Sequence, residues 1–362
     1  MNPRFHTLKI KNIRRETNDA VSFSIEIPSE LKADFHYKPG QHLTFKRILN
    51  DVDVRRSYSI CSAEYENELR VAVKKIPNGK FSSFVNDQLA AGDEIEVMNP
   101  MGNFTTEINA NTTKNFVFFA GGSGITPIMA LTKTILHTAK NSTVSLIYGN
   151  RGFSHIIFRE EIDALKNMYM DRLSVMHIFS DEKIGNELQE GLLNKEKVTE
   201  LYNAILEGDQ VDEVFVCGPQ PMIMAVKEVF EEKGMNHHQI HFELFTNPDQ
   251  EAKEAAQHPT ASQHIGERVT AQVSAIIDGE MMTVELSTDG KSILDAVNDA
   301  GGDAPYSCKG GVCSTCKAKV LEGKVFMDKN YALEEDEVEA GYILTCQSHP
   351  LTEKVTVSYD EW

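Results

Sequence analysis

The sequence has few cysteines, few basic residues and no long apolar run, and each shortage excludes a class of protein. Six cysteines in 362 residues are too few and too unevenly placed for a disulfide framework that spans the chain. The longest apolar runs, such as FVFFA, are far too short to cross a bilayer. No apolar segment follows the basic residues at the start, so no signal peptide is predicted. We therefore expect a cytoplasmic protein that does not bind membranes.

The scarcity of basic residues bears on the partners of the protein. The chain has 36 Lys and Arg against 54 Asp and Glu, which gives a formal net charge of −18. Such a surface repels phosphate backbones, so we expect no binding to nucleic acid. An acidic surface does suit docking against a basic patch on a partner, and solubility alone also explains it. No Ser-His-Asp set and no carboxylate pair indicates hydrolysis.

Changes in the periodicity of apolar residues divide the chain into three predicted domains and a linker. Residues 1–108 contain short alternating strands between turn signals, which is typical of an antiparallel β-barrel. Residues 109–246 alternate apolar strands with helical patterns, and this predicts a doubly wound parallel α/β domain. Residues 247–267 are polar without a strand pattern, which indicates a linker. Residues 268–362 combine strands, a helix and most of the cysteines, so we predict an α+β domain there.

The cysteines of this last domain carry the strongest chemical signal in the chain. Their pattern is Cys-x4-Cys-x2-Cys followed by a distant fourth residue: Cys308, Cys313, Cys316 and Cys346. Four thiolates suit a zinc ion or an iron–sulfur cluster. Structural zinc sites usually have two Cys-x2-Cys hooks, whereas this segment has one. Because the spacing is that of plant-type ferredoxins, we predict a 2Fe-2S cluster, with zinc or buried free thiols as the alternatives.

The segment RRSYSICS has the residue types that a flavin site needs. Strand alternation places Arg56 and Tyr58 on one face and Ser59 on the other. A flavin nucleotide requires an aromatic ring to stack on and an arginine for its diphosphate. Tyrosine in a strand is more often a packing residue, so this segment alone is weak evidence. The motif NGKFSSF adds support, since a helix that begins there offers its first amides to a pyrophosphate: Gly79, Lys80, Phe81 and Ser82.

A glycine-rich turn follows the first apolar strand of the α/β domain. In FAGGSGITPIMAL, the glycines precede a predicted helix that has Thr and Pro at its start: Gly121, Gly122, Gly124, Thr126 and Pro127. A turn of this kind alone is weak evidence for a nucleotide. The segment VCGPQPM supplies a second loop at the end of a parallel strand, where ligands of such sheets bind. Together, the two loops predict a nucleotide site.

The segment IYGNRGFSHIIFREE predicts which nicotinamide nucleotide binds. In sheets of this type, an acid at the end of the second strand favours NAD, whereas an arginine accommodates the 2′-phosphate of NADP. Arg151 follows the strand directly, with Ser154 and Arg159 nearby, and the first acids come later. We therefore predict NADPH; a solvated loop charge at Arg151 is the alternative.

The motifs RSYS, GKFSSF, GGSGITP, YGNR and CGPQPM, in this order and ahead of the cysteines, resemble the ferredoxin–NADP reductase superfamily. The resemblance implies an FAD-binding β-barrel, an NAD(P)-binding α/β domain and a β-grasp-like 2Fe-2S ferredoxin domain. It adds Ile60 and Val73 to the flavin site, and FAD is implied rather than FMN because GKFSSFVND lacks a glycine-rich phosphate loop. It also places a further set beside the nicotinamide and the flavin: Cys217, Gly218, Pro219, Glu243 and Phe245. The catalytic residues that it implies are Tyr58, Ser59, Cys217 and Glu243.

The tail after the third cysteine is similar to that of the reductase components of phenylacetyl-CoA epoxidases. This resemblance implies that electrons pass from NADPH through FAD and the cluster to an oxygenase component, the subunits of a di-iron phenylacetyl-CoA epoxidase. Two alternatives stay open. The partner is a Rieske-type or other monooxygenase of the ketosteroid hydroxylase kind, or the protein is a non-catalytic subunit that conducts electrons or senses redox state.

Overall fold

The part of the chain that the structure describes forms two compact units. The structure is a computed structural model that describes residues 4–245 and 268–361. Residues His6–Val54 and Tyr58–Phe245 belong to one unit, and the C-terminal described range makes up most of the other. The predicted linker, 247–267, lies outside the described residues. In the described ranges, no helix combines the length and the apolar composition needed to span a membrane.

The first unit begins with the predicted antiparallel barrel. Phe23 and Phe45 meet edge to face inside it, with ring centroids 5.4 Å apart, and Val71 and Val97 are fully buried. Burial of each side chain of this size contributes about 1.5–3 kcal/mol. The strands follow the order β4-β3-β6-β1-β2-β5, and one helix follows β5. The elements are β1 (Phe5–Thr17), β2 (Ala20–Glu26), β3 (His42–Leu49), β4 (Val52–Ser59), β5 (Leu69–Lys74), α1 (Lys80–Asp87) and β6 (Glu94–Met98).

A five-stranded parallel sheet completes this unit. Its order is β11-β10-β7-β8-β9, with each neighbouring pair parallel. The strands are β7 (Asn115–Gly121), β8 (Thr143–Asn150), β9 (Leu173–Phe179), β10 (Glu213–Gly218) and β11 (Ile240–Leu244). The helices are α2 (Ile125–Thr138), α3 (Arg159–Met168), α4 (Lys195–Ile205) and α5 (Gln220–Glu232).

The central strand β7 shows why the sheet is covered on both faces. Phe118 packs into the core on one face and Phe119 into the core on the other, and both side chains are fully buried. From β7 the chain adds β8 and β9 on one side, and then β10 and β11 on the other. The order therefore reverses between β7 and β10. In sheets of this type, ligands bind outside the carboxyl ends of the strands at such a reversal.

The second unit is a small α+β domain. Its main sheet has the order β13-β12-β18-β14-β16, and β15 pairs with β17. A two-residue turn, Asp278 and Gly279, joins β12 to β13, and both residues have the positive φ that this hairpin requires. The elements are β12 (Thr270–Ile277), β13 (Glu280–Ser287), α6 (Ile293–Asp299), β14 (Lys317–Glu322), β15 (Val325–Met327), α7 (Glu335–Glu339), β16 (Tyr342–Leu344), β17 (Ser348–Pro350) and β18 (Lys354–Ser358).

Candidate active site

The barrel and the parallel sheet bring three predicted catalytic residues together. Ser59, the last residue of β4, donates a hydrogen bond from Oγ to the Glu243 carboxylate at 2.8 Å. Glu243 lies on β11 directly beside Cys217 of β10 in the parallel register. Burial, together with the neighbouring Glu243, raises the pKa of the fully buried Cys217 thiol, which therefore stays protonated at neutral pH. Cys217 thus offers this site a small neutral group and not a thiolate nucleophile.

His42, the first residue of β3, is a fourth member of this group that the sequence analysis missed. Its Nδ1 atom lies 3.9 Å from the Glu243 carboxylate, and the imidazole is 4% exposed. Burial lowers the pKa of His42 to about 4, so the ring is neutral at pH 7. In the described part of the chain, its buried Nε2 atom has no hydrogen-bond partner. A buried polar atom without a partner is uncommon in folded proteins and often marks a ligand site.

The predicted glycine turn lies at the carboxyl end of β7, against the end of β10. A Cβ atom at Gly124 would lie 2.0 Å from the carbonyl oxygen of Cys217, and one at Gly121 would lie 2.6 Å from Pro219 Cδ. Gly218 lies against the same turn, since a Cβ atom there would lie 3.0 Å from Gly121 Cα. Only glycine therefore lets these two strand ends meet. The turn leads directly into α2, and the first turn of a helix is where a nucleotide phosphate commonly binds.

Thr126 and Pro127 lie in the first turn of α2, and both are buried. The Thr126 hydroxyl donates a hydrogen bond to the Ser123 carbonyl oxygen at 3.1 Å, so its side chain holds the turn. Gly122 adopts a φ of +53°, and its carbonyl oxygen accepts a hydrogen bond from the Tyr148 hydroxyl at 3.0 Å. These contacts tie the glycine turn to α2 and to β8.

Asn150, the last residue of β8, is a second polar group that the sequence analysis missed. It is 8% exposed, and within the described ranges neither its carboxamide oxygen nor its nitrogen has a hydrogen-bond partner. It lies two positions after Tyr148, hence on the same face of β8 as the side chain that bonds the glycine turn. The motif YGNR contained this residue, but only burial distinguishes it from an ordinary loop asparagine.

The residues predicted for a 2′-phosphate follow β8, and their side chains are exposed: Arg151, Ser154 and Arg159. The Arg159 guanidinium lies over the Phe153 ring, 4.6 Å from its centroid. An acid that the sequence analysis missed lies beside them, because Glu182 accepts a hydrogen bond from the Phe153 amide at 2.7 Å. A Cβ atom at Gly152 would lie 2.4 Å from this carboxylate. The Glu182 carboxylate therefore lies beside this basic group.

The residues predicted for the flavin separate into two kinds. Arg56 and Tyr58 are half-buried on β4, where Tyr58 packs against Phe81 with ring centroids 5.8 Å apart. Ile60, Val73 and Phe81 are at most 1% exposed and belong to the barrel core. The side chains of these three residues fill the barrel, so only their backbone is available to a cofactor.

The turn before α1 is built for close approach. Gly79 caps the helix, and a Cβ atom there would lie 2.4 Å from both the Ile76 side chain and the Ser82 hydroxyl oxygen. Ser82 Oγ accepts a hydrogen bond from the Ile76 amide at 3.3 Å, whereas the Lys80 side chain is exposed. The first amides of α1 therefore remain available at the predicted diphosphate site. At the other end of the unit, Phe245 follows β11 and is 41% exposed.

The four predicted metal ligands lie together in the C-terminal domain as two pairs. The contact with Cys308 lowers the pKa of Cys313, and the same contact raises the pKa of Cys308. The contact of Cys346 with Cys316, together with burial, raises the pKa of Cys346. Within the described ranges, no three His, Cys, Asp or Glu side chains are arranged around one metal ion. Two pairs of thiols are the donor set that the two iron atoms of a 2Fe-2S cluster require.

The backbone of the loop around these cysteines also suits an iron–sulfur cluster. The Gly310 amide donates a hydrogen bond to Cys308 Sγ at 3.2 Å, as expected for an amide directed at a cluster sulfur. Gly311 has a φ of +77°, and a Cβ atom there would lie 3.1 Å from the Lys329 carbonyl oxygen. Lys309 and Ser314 also adopt positive φ values. The backbone thus wraps closely around the four sulfurs, and the residues present fit a 2Fe-2S cluster.

Comparison with known protein families identifies the same three modules. The model of the oxidoreductase FAD-binding domain matches residues 7–106, and that of the oxidoreductase NAD-binding domain matches residues 118–228. The model of the 2Fe-2S iron-sulfur cluster binding domain matches residues 275–351. The barrel, the parallel sheet and the cysteine domain therefore correspond to FAD, nicotinamide nucleotide and 2Fe-2S modules.

The chain is also similar to curated proteins over nearly its whole length. It is 39% identical to one of the subunits of the 1,2-phenylacetyl-CoA epoxidase of Escherichia coli K12, over 98% of both chains. It is 33% identical to the ferredoxin reductase component of 3-ketosteroid-9-alpha-monooxygenase from Rhodococcus rhodochrous, over 97% of this chain and 96% of the relative. The glycine betaine monooxygenase reductase subunit of Chromohalobacter salexigens is 30% identical over 95% and 93% of the two chains.

Solved structures show the same fold. Phthalate dioxygenase reductase aligns with a TM-score of 0.58 at 22% identity, over 98% of each chain. An intact type IV self-sufficient cytochrome P450 monooxygenase aligns with a TM-score of 0.69 at 21% identity, over 98% of this chain and 41% of that chain. The predicted fold class, a barrel, a parallel α/β domain and a C-terminal 2Fe-2S domain, is confirmed.

Proposed function

Because the chain belongs to the ferredoxin–NADP reductase superfamily, among the oxygenase reductases that carry a 2Fe-2S domain, we propose that it delivers electrons from NADPH to a phenylacetyl-CoA epoxidase. The protein is an NAD(P)H-dependent oxidoreductase with FAD, nicotinamide nucleotide and 2Fe-2S modules. When bound, FAD accepts a hydride from the nucleotide, and the cluster carries the electrons onward one at a time.

The single observation that carries the proposal is the meeting of Ser59, Cys217 and Glu243. Ser59 comes from the barrel that matches the FAD model, and the other two come from strand ends of the sheet that matches the NAD model. Direct hydride transfer requires both reacting rings to meet at one point. In this proposal, Ser59 and Glu243 orient the reacting rings through their shared hydrogen bond, and Cys217 shapes the nicotinamide pocket.

The preference for NADPH rests on Arg151, supported by Ser154 and Arg159. An arginine that contacts a phosphate contributes about 1.5–3 kcal/mol, which corresponds to about a tenfold or larger change in KM. Arg151→Ala should therefore raise the KM for NADPH by about tenfold and leave that for NADH nearly unchanged. Glu182→Gln is the matched variant, and it should change the KM for NADPH in the opposite direction. It keeps an oxygen for the Phe153 amide but removes the charge beside the phosphate, so the KM for NADPH should fall.

Steady-state kinetics with both nucleotides test this assignment. If Arg151→Ala changed the KM for NADPH and the KM for NADH by the same factor, the assignment would be wrong. It would also be wrong if the native protein used both nucleotides equally well. NADPH-dependent reduction of cytochrome c by the pure protein tests catalysis itself. A protein that binds flavin and cluster but does not oxidise either nucleotide would instead be a non-catalytic electron-conducting or redox-sensing subunit.

The identity of the oxygenase is the finer part of the proposal. The relative from Escherichia coli belongs to a 1,2-phenylacetyl-CoA epoxidase and covers 98% of this chain. We therefore propose the di-iron subunits of such an epoxidase as the partner, in the cytoplasm, where thiols are kept reduced. The relatives at 33% identity support a second candidate, a 3-ketosteroid-9-alpha-monooxygenase or another Rieske-type or other monooxygenase.

Reconstitution with each oxygenase distinguishes the two candidates. The purified chain is mixed with either oxygenase and its own substrate, and substrate-dependent NADPH consumption and product formation are measured. Faster turnover and closely coupled product formation with the epoxidase subunits are the expected result. Coupled turnover with the ketosteroid oxygenase alone would replace the epoxidase as the partner without changing the reductase assignment.

A further inference from the structure

A buried cluster of opposite charges joins the barrel to the helices of the parallel sheet. Lys133 of α2 is 1% exposed, and its Nζ atom lies 3.1 and 3.2 Å from the two carboxylate oxygens of Glu66. Nζ also donates a hydrogen bond to the Cys61 carbonyl oxygen at 3.3 Å and forms an ion pair with Glu161 of α3. One ammonium group thus contacts the barrel twice and the neighbouring helix once.

Arg70 of β5 is the second cation of the cluster. Its Nη2 atom lies 2.8 Å from each carboxylate oxygen of Glu161, and its guanidinium lies over the Phe158 ring, 5.4 Å from the centroid. Burial would raise the pKa of Glu161, but Lys133 and Arg70 outweigh burial and hold this pKa below its usual value. Glu161 therefore stays charged, and the cluster alternates cations and anions across the boundary.

Such a cluster tolerates little displacement. An ammonium group buried away from its carboxylates loses its hydration without compensation, so separation of the two sides is strongly unfavourable. On the barrel side, the Glu66 carboxylate is held in place, because its Oε2 atom accepts a hydrogen bond from the Ala63 amide at 2.7 Å. The position of Lys133 relative to the barrel is therefore fixed by charge as well as by packing.

The elements that the cluster joins are the two that carry the reacting site. Cys61 follows Ser59 by two residues, so the Lys133 hydrogen bond holds the backbone just beyond the end of β4. Lys133 itself lies on α2, which begins directly after the glycine turn at Gly124. A helix transmits a displacement at one turn to its end, because its backbone is hydrogen-bonded throughout.

We propose that Lys133 is a positioning residue for hydride transfer, because its buried ion cluster sets the distance between the glycine turn and the end of β4. This role rests on the proposed reduction of FAD by a nicotinamide nucleotide and is independent of the oxygenase partner. Loss of the Lys133 charge should therefore slow flavin reduction at saturating nucleotide more than it changes the KM for the nucleotide. A role in stability alone would lower the melting temperature and leave the reduction rate unchanged.

The test compares Lys133→Met with Lys195→Met in the full-length, cofactor-loaded protein. Lys195 is a matched control, because its Nζ atom also lies near two carboxylates, 2.6 Å from Glu228 and 2.7 Å from Glu232, but on exposed helices. Stopped-flow absorbance measures flavin reduction. We expect at least a tenfold slower rate for Lys133→Met and a rate within twofold of the native protein for Lys195→Met.

Hydrogen exchange supplies a readout that does not depend on turnover. In Lys133→Met, the amides of residues 61–67 and of the first turn of α2 should exchange faster than in the native protein. In Lys195→Met, they should exchange at the native rate. Glu66→Gln is the milder second variant, since its amide oxygen still accepts from Ala63 while the charge facing Lys133 is removed. It should slow flavin reduction by about threefold.

Four outcomes separate the possibilities. Slower reduction together with faster exchange in both cluster variants supports the proposal. If Lys133→Met does not fold, Glu66→Gln decides the question by the same two measurements. Lower melting temperatures with native reduction rates and native exchange at the glycine turn overturn the positioning role. If neither NADPH nor NADH reduces the native protein, the proposed function fails instead, and hydrogen exchange still reports whether the cluster couples the two elements.

Discussion

Gly124→Ala tests whether the contact between the glycine turn and the end of β10 sets the reaction geometry. The added Cβ atom would lie 2.0 Å from the Cys217 carbonyl oxygen and 2.9 Å from the Gly218 amide nitrogen. Such contacts need at least 3.0 Å, so one side must move by about 1 Å. Both neighbours are backbone atoms that cannot rotate away. The displacement therefore falls on the glycine turn and on Cys217.

The expected magnitude follows from this displacement. A misplacement of about 1 Å near reacting groups costs about 100-fold in rate, which corresponds to about 2.7 kcal/mol of activation free energy. We expect flavin reduction by saturating NADPH to slow by about this factor. Because the FAD-binding domain matches residues 7–106 and the 2Fe-2S domain matches residues 275–351, both away from Gly124, FAD content and cluster absorbance should stay at native levels.

Anaerobic stopped-flow measurements provide the assay, with dithionite reduction to confirm that both cofactors remain competent. Gly234→Ala is the control: a Cβ atom there meets nothing within 4 Å, so it adds backbone strain at a φ of +89° without a clash. Flavin reduction within threefold of the native rate in a fully loaded Gly124 variant would refute the reasoning. So would an equal loss of rate in both glycine variants.

Three further predictions concern other parts of the site. Cys346→Ser should abolish the cluster absorbance and the acid-labile sulfide while FAD remains; one zinc ion per chain without sulfide would disprove the cluster. Asn150→Ala should raise the KM for NADPH by about fivefold with little change in kcat, whereas Asn203→Ala, remote from the site, should change neither. Unfolded His42 binds a proton near pH 6.5 and the folded ring only near pH 4. The free energy of unfolding of the native protein should therefore fall by up to about 3 kcal/mol as the pH falls from 6.5 to 4. Denaturant titrations across this range should show a smaller fall for His42→Gln.

Local patterns were sufficient to predict the architecture. The apolar run NFVFFA predicted a strand of the doubly wound α/β domain, and the structure places Phe118 and Phe119 in different cores. The four cysteines were recognisable because ligand spacing is a property of the chain itself. The strand patterns and the first three cysteines each lie within one short segment, so the sequence alone is sufficient to recognise them.

The polar residues that complete the site were not predictable in the same way. In the sequence, His42 in GQHLTF looks like an ordinary strand residue and Asn150 in IYGNR like an ordinary loop residue. Each becomes a candidate ligand group only because segments far away in sequence bury it. Glu182 follows β9, whereas Phe153, whose amide donates to it, follows β8. Only the parallel pairing of β8 with β9 brings the two residues together. Reasoning from single segments therefore found the motif residues and missed their neighbours.

Lys133 shows how a local sequence pattern and the contacts between distant segments combine. In ITPIMALTKTILHT it resembles a solvent-facing lysine of an amphipathic helix, yet most of α2 is buried, including Thr126 and Thr132. A helix covered by the sheet on one side should expose the other to water, and α2 does not, because the barrel covers that side as well. Burial of a lysine is stable only with anions in place, so the barrel must supply Glu66. In our proposal, the Lys133 charge therefore couples the glycine turn to the end of β4, and its replacement should slow flavin reduction even in protein that still folds.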